Sequence, residues 1–328
     1  MIRRIKHAST ATCTLPIYMG FLMTEPNSIS CTQLAETYNI SHDSVNRFLE
    51  REDYTPHDLY QEAIQHIDNN KLIVSIDDTV LDKPYSQHMD LVSYFWSGKH
   101  HRSVKGINLI TLYATDQNGQ NIPINFRIYD KSEGKTKNDY FMDMLSEVLS
   151  WGAKIQFITG DSWYSSTGNL KTIRKYGIRF MFGIDCNRKV SPEKGQWFQL
   201  RLLPDFHQGQ VVWLKDFGFV QLFKTQLKEQ QRFYIVHQDE DDLLSFEGFH
   251  ELHSSHWKIE QYHRVIKQVC HIEKFQVRRS KLILNHIFSA LMAYVEIQKN
   301  QFERIFENVY RWQKKLFRPM IKNFIDDF

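Results

Sequence analysis

The stretch that decides the fold is KLIVSIDDTVLDKP, residues 71–84. Leu72 to Ile76, with only Ser75 polar, reads as a buried strand, and Asp77 and Asp78 then arrive side by side. Adjacent carboxylates repel each other, and each is costly to bury unless something positive compensates it. A turn is one explanation, because Asp and Thr are common where strands end. A bound cation is another, and the choice depends on what the rest of the chain supplies.

Outward from this strand, GINLITLYATD (106–116) and IPINFRIYD (122–130) read as two further strands joined by the turn DQNGQN. KNDYFMDMLSEVLSWGA (137–153) carries a helical pattern closed by Gly152. KIQFITGD (154–161), TGNLKTIRKYG (167–177) and IRFMFGID (178–185) read as strand, short helix and strand. The order β-β-β-α-β-α-β predicts a mixed sheet with helices on its faces, an α/β fold. QWFQLRL, QVVWLKDFGFVQLFKT and RFYIVHQ then predict a β-rich block over residues 191–249, with DEDD (239–242) as a solvated loop. Helices return in SSHWKIEQYHRVIKQ and LILNHIFSALMAYVEIQKNQFERIF, and the end, NVYRWQKKLFRPMIKN, is basic and aromatic.

Residues 1–70 read as a helical N-terminal domain. SISCTQLAETYNISHDSVNRFLERE has one apolar-periodic segment around Leu34 and Ala35, a break at Asn39 to Ser41, and a second around Val45, Phe48 and Leu49. That is the pattern of a helix-turn-helix DNA reader, with Ser41 as N-cap of its second helix.

Composition bounds the function without choosing it. The 328 residues are 42% hydrophobic and 24% charged, as in an ordinary globular protein. The net charge of +3 is too near neutral to argue for nucleic acid by itself. Cys13, Cys31, Cys186 and Cys270 lie far apart without a C-x-x-C pair, so neither a zinc site nor a disulfide framework is indicated, and a reducing cytoplasm fits. The early apolar patch is short and broken by Pro16, and no stretch of about 18 apolar residues occurs, so the expectation is a cytoplasmic protein with no membrane contact.

The strand KIQFITGD also ends in a carboxylate, Asp161. Two strands that each deliver an aspartate can place both at one edge of a sheet, which suits a hard divalent cation that keeps open positions for substrate phosphates. A third carboxylate is expected on a nearby helix. Glu260 fits, with Arg264 and Lys267 at i+4 and i+7 and with Ile259, Ile266 and Val269 turned to the core. Alone, such a helix would read as a solvated face with an i,i+4 ion pair. Beside two strand-end aspartates it reads as a metal-binding acid with basic neighbours that suit an anionic substrate.

The order strand-D-x-T, strand-G-D-S-x-Y, β-rich block, then a helix bearing Glu260 and Lys267 resembles the DDE transposases of bacterial insertion sequences, specifically the insertion-sequence-four-like group. The resemblance implies an RNase H-like catalytic domain over 71–190 and 250–300 with a β-rich insertion over 191–249, and residues 301–328 read from their own composition as a basic helical tail. It implies Asp77, Asp161 and Glu260 as the catalytic, metal-binding acids, with Asp78 as the alternative first ligand because strand side chains alternate faces. Two Mg²⁺ ions, with Mn²⁺ able to substitute, would drive cleavage at element ends and joining of the 3′-hydroxyls to target DNA. The implied partners are double-stranded DNA and a second copy in a synaptic homodimer, in a bacterial cytoplasm at the nucleoid. One departure stands out: the group carries tyrosine and arginine upstream of the glutamate, where this chain has His253 and His256. That leaves the phosphate-gripping role of the arginine to another residue, with Arg264 the first choice.

Further DNA contacts are expected from Lys99, Arg102 and Lys105 in SGKHHRSVKG, a loop that holds two histidines and no acid. Trp163, Trp197 and Trp213 are candidates to stack on an unpaired base. Two other functions share these features: an RNase H-like nuclease without strand transfer, and a non-catalytic DNA-binding remnant of an element.

Overall fold

A computed structural model of the chain describes residues 12–25, 29–98, 100–193, 195–227, 230–238 and 242–326. Four helices come first, α1 (Leu15–Thr24), α2 (Cys31–Tyr38), α3 (His42–Arg51) and α4 (Pro56–Ala63). Ser30 and Ser41 cap α2 and α3 by accepting hydrogen bonds from the N–H groups of Gln33 and Ser44. Asn39 ends α2 in the left-handed region, at φ 51°, which a short polar side chain tolerates. Strands β1 (Leu72–Asp82), β2 (Ser93–Ser97), β3 (Arg102–Thr115) and β4 (Asn121–Ile128) follow, then α5 (Lys137–Ser150), β5 (Ile155–Gly160), α6 (Thr167–Lys175) and β6 (Arg179–Ile184). The next strands are β7 (Lys189–Ser191), β8 (Phe198–Gln199), β9 (Gln210–Leu214), β10 (Gly218–Leu227) and β11 (Gln230–His237). The chain then runs through α7 (Phe246–Gln268), α8 (Ser280–Phe302) and α9 (Val309–Asp326). Among the described residues no helix is long and apolar enough to cross a membrane.

The chain divides into two compact units: Met1–His66 with Thr79–Leu109 and Gln261–Phe328, and Ile67–Asp78 with Ile110–Glu260. In the first, α8 is the buried axis. Its Asn285 Nδ2 donates to the carbonyls of Leu49 and Glu52, both at 2.7 Å, and so satisfies the open C-terminal carbonyls of α3. Phe288 of α8 stacks on Tyr54 at 4.2 Å between centroids.

In the second unit the sheet order is β3-β1-β5-β6-β11-β10-β9-β7-β8, with β4 on the other side of β3. β1, β5 and β6 are parallel, in the register Ser75↔Thr159, Ile76↔Gly160 and Gly160↔Phe182. The N-terminal part of α7 lies on one sheet face, where Phe249 and Leu252 join Phe157, Met181, Phe223, Tyr234 and Val236 in one core cluster. Phe249 stacks flat on Phe223 at 4.4 Å. On the opposite face Phe141 of α5 packs edge-on against Tyr164 and Phe182.

Several local expectations shift. β1 does not end at Ile76 but continues to Asp82, so Asp77 and Asp78 lie mid-strand and are not turn residues. Arg102 to Lys105, expected in a loop, open β3 and pair with β2, a strand that its short polar-flanked sequence had hidden. The residues of the β-rich block extend the existing sheet: β11 pairs antiparallel with β6, Tyr234 opposite Gly183, which covers an edge that would otherwise present unpaired backbone groups. α7 starts eight residues before the expected SSHWKIEQ segment because Phe249 and Leu252 have the core cluster to bury into.

Gly160 is the tightest point in the parallel strands. A Cβ there would lie 2.6 Å from Phe182 Cε1 and 2.8 Å from Ile76 Cγ2, both fully buried. Gly160→Val should therefore destabilise by about 1–3 kcal/mol or more through overpacking. A urea denaturation midpoint equal to wild type would contradict this packing.

Candidate active site

Strand pleating sorts the carboxylates. Ser75 Oγ lies 2.8 Å from Thr159 Oγ1 across the β1–β5 pair, and Thr159 Oγ1 lies 3.1 Å from His256 Nδ1 of α7. Ser75 and Thr159 thus point to the α7 face. Two residues on along β1 is Asp77, two on from Thr159 is Asp161, and one helical turn on from His256 is Glu260. Side-chain periodicity carries all three carboxylates to the side on which the hydroxyl–imidazole relay is made.

Asp78 takes the other face. Its Oδ2 accepts from Lys137 Nζ at 2.7 Å, at the first residue of α5, and its Oδ1 accepts from the buried Tyr164 phenol at 2.9 Å. A cation and a hydroxyl thus hold its charge inside the fold. This is the physical answer to the paired aspartates: alternation separates them, and each meets a different environment.

The electrostatics agree. Burial, then repulsion by Asp78, Asp161 and Glu260, pushes the Asp77 carboxyl well above the usual range, although its Oδ1 accepts the Asp78 N–H at 2.8 Å. Asp161 is pushed up to about 6 by loss of water and by Asp78, against the amides of Trp163 and Tyr164. Its surface remains exposed, so solvent screens part of that effect. Burial pushes His256 down to about 4, with help from His253, and His253 is lowered by burial, His250 and Arg232. Both imidazoles are neutral near pH 7, and His253 Nε2 lies 3.0 Å from the Tyr234 hydroxyl.

Asp161 and Glu260 line a cleft of about 630 Å³ together with Asp185, Arg232, His250, His253, His256 and Trp257. Asp77 is not among its lining residues; it reaches the other two carboxylates by charge. Among the described residues, no three His, Cys, Asp or Glu side chains are gathered tightly enough to enclose a metal ion by themselves. The donor chemistry still fits a hard divalent cation, since Asp161 and Glu260 both raise the proton affinity of Asp77 and a cation would relieve that repulsion while taking water or phosphate for its remaining positions.

The transposase DDE domain model matches residues 68–295, which include every residue of this cluster. The chain belongs to the transposase DDE domain family. No curated protein matches the sequence. Two solved structures of Marinitoga piezophila Argonaute are distant likenesses. The one in complex with 5′ OH guide RNA and target DNA is 9% identical over 74% of this chain and 32% of that chain, at a TM-score of 0.23. The one with 5′ OH guide RNA alone is 11% identical over 68% and 32%, at 0.22. This chain spans about a third of their length, and at such TM-scores neither likeness bears on the DDE-domain fold or its chemistry.

The other expected contacts of this DDE-domain protein are placed as follows. Arg264 is exposed on α7, while Lys267 Nζ donates to the Val80 carbonyl at 2.6 Å and lies 3.8 Å from Glu273. Arg102 is exposed at the start of β3, and Lys105 Nζ donates to the Ser86 carbonyl. Lys99 lies outside the described residues. His100 is held by Asp82 at 3.1 Å. Trp163, Trp197 and Trp213 are all exposed, and Trp163 lies beside Lys137, whose Nζ is 5.6 Å from its ring centroid. Sequence reasoning missed Lys137, Tyr164 and the Ser75–Thr159–His256 relay. The relay had a signal, because Ser75–Asp77, Thr159–Asp161 and His256–Glu260 all keep the spacing of a shared face; Lys137, 59 residues from Asp78 in sequence, had none.

Two measurements follow from this geometry. Asp77 and Asp161 hold protons more tightly when folded, so their contribution is complete below about pH 4 and is lost as pH rises through about 6 for Asp161 and through the raised pKa of Asp77. Without divalent ions, Asp77→Asn should therefore melt higher than wild type at pH 8, by a few degrees, with the difference vanishing near pH 4; a pH-independent difference would contradict the repulsion. Thr159→Val keeps the volume but breaks the relay, and should weaken divalent-ion binding roughly tenfold, comparable to loss of an orienting contact to a metal ligand. Isothermal titration with Mn²⁺ reads this directly, and a wild-type affinity would show that the relay does not hold α7 in register.

Proposed function

We propose that this protein is a DNA transposase of the insertion-sequence-four-like group, with an RNase H-like catalytic core, that cuts at the ends of an insertion sequence and joins the freed 3′-hydroxyls to target DNA. The observation that carries the reading is the delivery of Asp77, Asp161 and Glu260 to one face by the Ser75–Thr159–His256 contacts, inside the matched family domain. These three carboxylates are the residues that would hold Mg²⁺ or Mn²⁺. When bound there, the ions would activate a water or 3′-hydroxyl for in-line attack on a phosphodiester and steady the leaving oxygen.

The chain's own residues have separate parts in this reading. Asp78 is taken out of ligand competition by Lys137 and Tyr164 and braces β1 against α5. His256 anchors α7, so Glu260 faces the strand acids. The capped α2–α3 pair is the DNA-reading element, with the half-buried Asn46 and the exposed Arg47 of α3 facing a groove. A homodimer would hold two element ends together.

A plasmid carrying the DNA that flanks the gene on both sides, incubated with the protein and Mg²⁺, tests the proposal. Cleaved and joined products are expected from wild type. Asp161→Ala and Glu260→Ala should lose both while still retarding the DNA, and Asp77→Asn should do more damage than Asp78→Asn. Cleavage without joining would reduce the activity to that of a nuclease, and undiminished cleavage by the Asp161 and Glu260 variants would remove the site.

A further inference from the structure

We propose that Arg232 of β11 is the phosphate-binding cation of the carboxylate cleft, and that the ligand it takes is a DNA phosphodiester beside the one that reacts. The inference rests on the transposase reading of the same cleft. Three acids, Asp161, Asp185 and Glu260, line that cleft, and among its described lining residues Arg232 is the single lysine or arginine. A polyanion entering such a place needs a fixed positive charge on the wall, and arginine keeps its charge and offers a planar fork that matches phosphate oxygens.

His253 and His256 of α7 do not supply that charge. His256 is committed to Thr159 and His253 to Tyr234, each through a ring nitrogen, and both are neutral. The strand geometry supplies it instead. Arg232 lies two residues before Tyr234 on β11 and therefore on the same strand face, the face from which Tyr234 meets His253. Its proximity is felt electrostatically, since Arg232 is one of the groups that lower His253. The side chain is exposed, so the guanidinium is accessible to a strand laid along the cleft.

The test uses the full-length protein in EDTA and a fluorescein-labelled mixed-sequence duplex with a frayed end, titrated at several salt concentrations. Arg232→Ala should weaken binding roughly tenfold and reduce the slope of log K against log salt by about 0.9, the value for one phosphate contact. Arg232→Lys should restore the slope while recovering only part of the affinity, because a point charge replaces a fork. Both substitutions are at an exposed position, and Mn²⁺-induced thermal stabilisation should remain at the wild-type level in each. An Arg232→Ala protein with unchanged slope and affinity overturns the assignment, as does a lost slope in Arg264→Ala with none in Arg232→Ala. Failure of the underlying reading has a different signature: Mn²⁺ would then stabilise wild type and Asp161→Asn equally.

Discussion

The pairing of β1 with β5 in parallel register is the constraint on which the rest depends. Once Ser75 stands opposite Thr159, alternation dictates that Asp77 and Asp161 emerge on the α7 side and Asp78 on the α5 side. A slip of one residue in β1 would exchange these faces and bring Asp78 to the α7 side while exposing Asp77 to Lys137. The register is protected by the fit of Ile76 and Phe182 around Gly160, which leaves no space for a side chain between them.

The helix that completes the site is fixed in two ways. Apolar burial around Phe249 and Leu252 sets where α7 lies on the sheet, and burial is non-directional, so it tolerates small rotations. The hydrogen bond between the Thr159 hydroxyl and His256 Nδ1 is directional and selects one rotation. Glu260, one turn further, inherits it. Repulsion among the carboxylates opposes folding, and the hydrophobic core beneath supplies the stability that lets such a site persist.

Much of this was legible in the sequence, for stated reasons. The strands around Val74 and Ile158 announced themselves by apolar runs, and Asp77, Asp161 and Glu260 by their places at strand and helix positions within a recognisable family order. The choice between Asp77 and Asp78 was not legible, because it turns on which face Lys137 and Tyr164 occupy, and those contacts join residues distant in sequence. β2 was missed because Ser93–Ser97 is short and outward Tyr94 and Trp96 alternate with inward Phe95, a pattern too brief to separate from a loop. Arg232 carried no local signal at all; only the folding of β11 beside β6 brings it to the cleft.

The most direct measurement is a crystal structure of the protein grown with Mn²⁺, with the ion located by its anomalous scattering. The account predicts manganese within about 2.0–2.3 Å of carboxylate oxygens of Asp77 and Asp161, with Glu260 drawn towards the same site and Asp78 still on Lys137 and Tyr164. Manganese ligated by Asp78, or no ion among these carboxylates at saturating Mn²⁺, would contradict it.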